Sequence, residues 1–153
     1  MTYTEYRTNR QREFDSLPIF FAFSDGQLEA AMKERGLTIN DLDKICRFAG
    51  GFVLKTDLPA IRDFVEKPDP LPDLMNDPAF AEDAFYYEMC NHEYGINSQG
   101  AWDVCSCFGN CEYVDGKTGP MYLTEMGFGP EVCDAYRRAK ARYWKDAEEH
   151  EWF

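Results

Sequence analysis

Gly129-Pro130 opens the longest regular pattern in the chain. Cys133, Tyr136, Ala139, Tyr143 and Ala147 then recur at helical spacing, which predicts one helix through about Glu149 with a single apolar face. Proline suits the first helical position, where its missing N–H has no intrahelical partner to lose. An apolar stripe of that length has to be covered, so the chain must build a core. At 153 residues it is long enough to do so as one domain spanning 1–153, and 44% apolar residues with 16% aromatics exclude a disordered chain.

The remaining segments are shorter. Thr2 or Thr4 caps a helix to about Phe14. Pro18 to Phe23 is short, aromatic and bounded by turn residues, which predicts a buried strand. Ser24 and Gln27 fit a capping box for a helix through Arg35 that Gly36 ends. Two apolar segments flank Gly50-Gly51 and predict a hairpin. Asp57 caps a helix beginning near Pro59, with Ile61, Phe64 and Val65 on its buried face. Pro68, Pro70 and Pro72 forbid regular structure and make a stiff connection. Asp77-Pro78 begins a helix that ends between His92 and Gly95, and Trp102 to Phe108 forms a short one. Glu112 to Leu123, with its Asp115-Gly116 turn, reads as a second hairpin. The fold class is α+β: a helix-rich single domain with a small antiparallel sheet.

The formal net charge is −12, from 28 acidic and 16 basic residues. Such a field repels phosphates and anionic membrane surfaces, so neither direct nucleic-acid binding nor a membrane is expected. It favours a basic partner, such as a protein that itself handles nucleic acid. The opening MTYTEYRTNRQREF has no apolar core after its basic residues, and the longest apolar run, Ile19 to Phe23, is too short to cross a bilayer. A cytoplasmic protein is expected, where thiols stay reduced and disulfides are disfavoured.

Four of the six cysteines and one of the two histidines fall between Cys90 and Cys111, spaced C-x-H-x12-C-x-C-x3-C. Thiolate and imidazole are the usual zinc ligands, and a structural site takes four in a tetrahedron. Cys107 and Cys111 share a face if a helical turn joins them. Cys90 and His92 converge only if their helix unwinds, which Asn91 and Gly95 permit. The expected zinc ligands are therefore Cys90, His92, Cys107 and Cys111, with Cys105 as the alternate. Burial of the thiols as small apolar side chains is the competing reading. Cys46 and Cys133 sit in apolar patterns and belong to the core.

Catalytic motifs fail on spacing. His92-Glu93 lacks the second histidine of a zinc protease, because Ile96 stands there. Glutamate directly after histidine also breaks the deaminase pattern. No phosphate-binding glycine loop is present. A non-enzymatic role is expected, with a cysteine- or metal-dependent enzyme as the alternative. Trp102, Trp144, Trp152 and Phe153 are candidate interface aromatics, the first two better placed in a core.

Phe21-Ala22-Phe23-Ser24, Ala49-Gly50-Gly51-Phe52 and Asn91-His92-Glu93-Tyr94 carry a resemblance. Over residues 19 to 113 the chain resembles small uncharacterised proteins of phages and mobile elements of Gram-positive bacteria. Its size, charge and cysteine cluster are similar to those of metal-containing type II anti-CRISPR proteins. That resemblance implies an inhibitor that binds a CRISPR effector nuclease and blocks loading of target DNA. A mobile-element interaction module without inhibitor activity is the plainer form of the same reading.

Overall fold

A computed structural model describes residues 1–153. It contains eight α-helices and a two-stranded antiparallel sheet. The expected α+β, helix-rich character is therefore present. The chain divides into two compact units, residues 1–9 with 69–153 and residues 10–68; one boundary falls among the spaced prolines and the other between Asn9 and Arg10.

In the first unit the opening turns of α1 (Tyr3–Asp15) join α4 (Leu71–Leu74), α5 (Pro78–Asn91), α6 (Gly100–Ser106), α7 (Gly119–Glu125) and α8 (Pro130–Glu149). Asp77 caps α5 by accepting from the Ala79 N–H, and Pro78 occupies its first turn. Cys133, Tyr136, Ala139, Tyr143 and Ala147 are all buried, as their spacing requires. The first four share a core with Phe80, Ala84, Phe85 and Met89 of α5 and with Val104, Cys105, Tyr122 and Leu123. The short α4 corrects the expectation that the prolines forbid helix. Pro70 stands at its N-cap and Pro72 in its first turn, where a missing N–H removes no helical bond.

The second expected hairpin, Glu112 to Leu123, does not form. Residues 112–114 form no strand, and Thr118 caps α7 by accepting from the Met121 N–H. The Tyr122 hydroxyl takes the place of a strand: it accepts from the Val114 N–H and donates to the Val114 carbonyl, both at 3.0 Å. Gly119 starts α7 against α8. A Cβ there would lie 2.1 Å from Cζ of Tyr136.

In the second unit, α2 (Asp25–Glu34) starts from Ser24, which accepts from the Gln27 N–H, while Gln27 accepts from the Phe23 N–H. Strands β1 (Ile45–Phe48) and β2 (Gly51–Leu54) pair in register Ile45↔Leu54 to Phe48↔Gly51. The turn is therefore Ala49-Gly50, one residue earlier than the glycine pair implied. Helix α3 (Leu58–Glu66) buries Ile61, whereas Val65 is exposed. The aromatic run at 18–23 is not a buried strand. Phe20 alone bridges, exchanging both backbone bonds with Phe52, while Phe21 and Phe23 face solvent. Alternation along an extended chain explains this, because residues 20 and 21 must point to opposite sides. Cys46, expected in the core, is half-buried on β1.

No helix is long and apolar enough to cross a membrane. The basic run on α8 is largely committed to acids: Arg137 to Asp134, Arg138 to Glu82, Arg142 to Asp146 and Lys145 to Glu149.

Candidate functional site

Helix α5 places Glu88 and His92 one turn apart on the same face. Glu88 falls inside an apolar stripe, between Phe85 and Met89, and is 1% exposed. A carboxylate buried so deeply needs partners. The Tyr3 hydroxyl donates to Glu88 Oε1 at 2.7 Å, and Arg7 Nη1 reaches the same oxygen at 2.8 Å. The Arg7 guanidinium also stacks on Tyr87, 4.9 Å from the ring centre. Oε2 is left to face Asn91 Nδ2 at 3.2 Å and His92 Nε2 at 3.3 Å.

His92 is the C-cap of α5, followed by Glu93 in the left-handed region at φ +51°. The Tyr94 N–H reaches back to the Met89 carbonyl and the Glu93 N–H to that of Cys90, which closes the helix in a Schellman turn. Asn97 donates to the His92 carbonyl and to Asp103, so the backbone carrying the imidazole is tied to α6.

Cys107 is the C-cap of α6, and its Sγ lies 3.5 Å from His92 Nε2. The thiol also contacts the Asp103 carbonyl at 3.3 Å, one helical turn back. Burial pushes its pKa up to about 12, reinforced by the nearby Glu88 charge and opposed by Arg7. One ligand atom each from Glu88, His92 and Cys107 lies within 4.8 Å of the other two.

Of the four expected ligands, the structure brings together His92 and Cys107. Cys90 is exposed on another side of α5, beside Tyr86, Arg142 and Asp146. Two residues of helix separate it from His92 by more than half a turn, and the helix does not unwind before His92. Cys111 stands beside Lys117 and Glu125. The helical turn that would have aligned it with Cys107 ends at Cys107, and the chain beyond is irregular. The alternate, Cys105, is fully buried and donates to the Gly119 carbonyl at 3.6 Å. Glu88 takes the place in the cluster that the cysteines were expected to fill.

The cluster does not have the form of a cysteine–histidine–carboxylate relay. Such a relay uses the two ring nitrogens on opposite sides, one for the thiol and one for the acid. Here thiol and carboxylate both face Nε2. A nucleophilic cysteine also needs its thiol pKa lowered, and that of Cys107 is raised. Three donor atoms converging from two elements on one point are instead what a cation requires.

No curated protein and no solved structure matches the chain. Residues 2–115 match the model of a family of unknown function, DUF7659, and that span includes Tyr3, Arg7, Glu88, His92 and Cys107. The match takes in well over half of the sequence, and the chain belongs to that family.

Proposed function

We propose that the chain is a non-enzymatic, acidic binding protein, clamped by a zinc ion held between Glu88, His92 and Cys107. The observation that carries the zinc reading is the spacing of the donors. Zinc bonds of about 2.3 Å to sulfur and about 2.0 Å to nitrogen or oxygen set tetrahedral edges of about 3.5 Å and about 3.3 Å. The sulfur–nitrogen and nitrogen–oxygen separations are 3.5 Å and 3.3 Å. Tyr3 and Arg7 orient the carboxylate through its other oxygen, as the outer partners of metal ligands do. The same separations suit hydrogen bonds around one ring N–H, so metal content decides between the two. Purified protein is expected to carry about one zinc per chain and to lose thermal stability on chelation. A metal-free protein whose melting temperature ignores added zinc overturns the clamp.

The partner in this reading is a basic protein surface, chosen by the charge of −12. The form implied by the resemblance is inhibition of an RNA-guided nuclease whose positively charged channel receives DNA. Its test is target-DNA binding by such a nuclease with excess protein present, at two salt concentrations. Inhibition that weakens as salt rises supports a charge-led interface. Unchanged DNA binding removes the inhibitor role and leaves the clamp standing.

The count of three protein donors favours one second reading. Catalytic zinc sites keep a fourth position for water, whereas structural sites fill it. Cobalt substitution separates them: a coordination spectrum that titrates near neutral pH marks a bound water and an enzyme.

A further inference from the structure

At the far end of α5 from Pro78, a notch of about 420 Å³ opens between the end of that helix and the end of α8. Tyr86, Tyr143, Trp152 and Phe153 supply aromatic walls, and Glu93 and Ile96 the rim. We infer that this notch binds an alkylated ammonium group.

The walls are held in place by the fold. Tyr143 is buried, its hydroxyl accepts from the Gly95 N–H, and the Trp152 ring stands edge-on to it at 5.5 Å. The Phe153 ring rests on the bare backbone of Gly95, where a Cβ would come within 2.5 Å of it. Trp152 and Phe153 are nonetheless 41% and 63% exposed, so ring surface is open to a ligand. Tyr86 already holds a cation: its hydroxyl bonds Asp146, and the Arg142 guanidinium stands 3.8 Å over its ring. The chain itself thus places a cation on an aromatic face here. The exposed rings of Trp152 and Phe153, backed by the buried Tyr143, remain for an incoming one.

The electrostatics point the same way. Glu93 is exposed, and its carboxylate makes no hydrogen bond or ion pair. The carbonyl ends of two helices meet at the notch, and each carries partial negative charge. Glu93 also occupies a position that glycine suits better, at φ +51°. The ends of α2 and α7 follow the usual pattern, with Gly36 and Gly127 at the equivalent place. A carboxylate with no internal partner, beside open aromatic rings, is explained by a ligand it attracts. Aromatic walls with one acid select methylated ammonium, because ring faces stabilise a diffuse charge without demanding hydrogen-bond donors.

Two sources supply this chemistry: a free quaternary ammonium compound, or a methylated lysine on a basic partner. The test follows the Trp152 indole N–H by NMR in the full-length protein at constant ionic strength. The probes are choline, its neutral isostere 3,3-dimethylbutan-1-ol, and a short trimethyllysine peptide. Saturable shifts with choline or the peptide are expected, with the neutral isostere weaker by about tenfold. Peptide binding far tighter than choline assigns the site to a protein partner, and the reverse to a small molecule. Glu93→Gln is expected to weaken binding about fivefold. Glu93→Gly is expected to weaken it similarly while raising the melting temperature through relief of its left-handed backbone, so lost binding is not lost folding. Equal binding of the isostere, or no saturable shift with either cation, overturns the inference.

Discussion

Tyr3 and Glu88 lie 85 positions apart in sequence, yet the phenol donates to the carboxylate at 2.7 Å in a site where both side chains are buried. That bond ties the start of α1 to the last turn of α5. Its energy is large for one hydrogen bond because the acceptor is charged and shielded from water. Tyr3→Phe keeps the ring packing and removes only the donor. A loss of about 2 kcal/mol is expected in urea denaturation at neutral pH. No change in midpoint would show that Arg7 alone satisfies the acid.

The donor set separates two rival ligand lists. His92→Ala and Cys107→Ser are each expected to reduce bound zinc from about one equivalent per chain to near zero. Cys90→Ser and Cys111→Ser are expected to leave it unchanged, because neither thiol faces the cluster. Elemental analysis of the four variants reads the result directly. Zinc loss on removing Cys90 or Cys111 would restore the four-ligand arrangement.

Zinc uptake must also displace protons. The Cys107 thiol, pushed up to about 12, is protonated at pH 7, and zinc binds the thiolate. Affinity is therefore expected to rise with pH, about tenfold per unit for each proton released, and acid is expected to strip the ion. Calorimetry in two buffers of different ionisation enthalpy counts the protons. A buffer-independent heat would mean that the thiol is not a ligand.

Helix ends offer a stability test that leaves the cluster alone. Glu151, at φ +50°, closes α8 with the same turn by which Glu93 closes α5. Ala49, also at φ +50°, precedes Gly50 at φ +79° in the hairpin turn. Glu151→Gly and Ala49→Gly are each expected to stabilise by about 0.5–1 kcal/mol, since relief of left-handed strain exceeds the added entropy of the unfolded chain. Thermal unfolding of each variant measures it.

Tyr122→Phe tests the loop that replaced a hairpin. Its hydroxyl is the partner of both backbone groups of Val114. Removing it is expected to cost about 1–2 kcal/mol and to raise amide hydrogen exchange at Val114 selectively. Uniform exchange across the chain would show a global loss instead.

What was legible in the sequence was local. Ser24, Asp77-Pro78 and Gly129-Pro130 mark helix starts through contacts within one turn, and all three stand where the pattern put them. The segment after Asn110 was misread because its backbone is satisfied by a tyrosine hydroxyl from eight residues on, which no strand pattern encodes. Trp144, read as a core residue, is 43% exposed. At the cluster, His92 and Cys107 were visible as soft ligands in a dense stretch. Glu88 was not, because one acid among 28 attracts no notice. Two signals were nevertheless present: its place in an apolar helical stripe, and its four-residue distance from His92. Cys90 and Cys111 were chosen by residue type, and the helix then set their directions.

Gly119 and Tyr136 make a pair whose history can be read in other chains. The phenol fills the volume that any side chain at 119 would need, so neither position is free to drift alone. A relative that has acquired even a methyl at the first must carry a smaller ring or an aliphatic residue at the second. Covariation between these columns, with no mixed large–large combinations, is the evolutionary record that this close approach leaves behind.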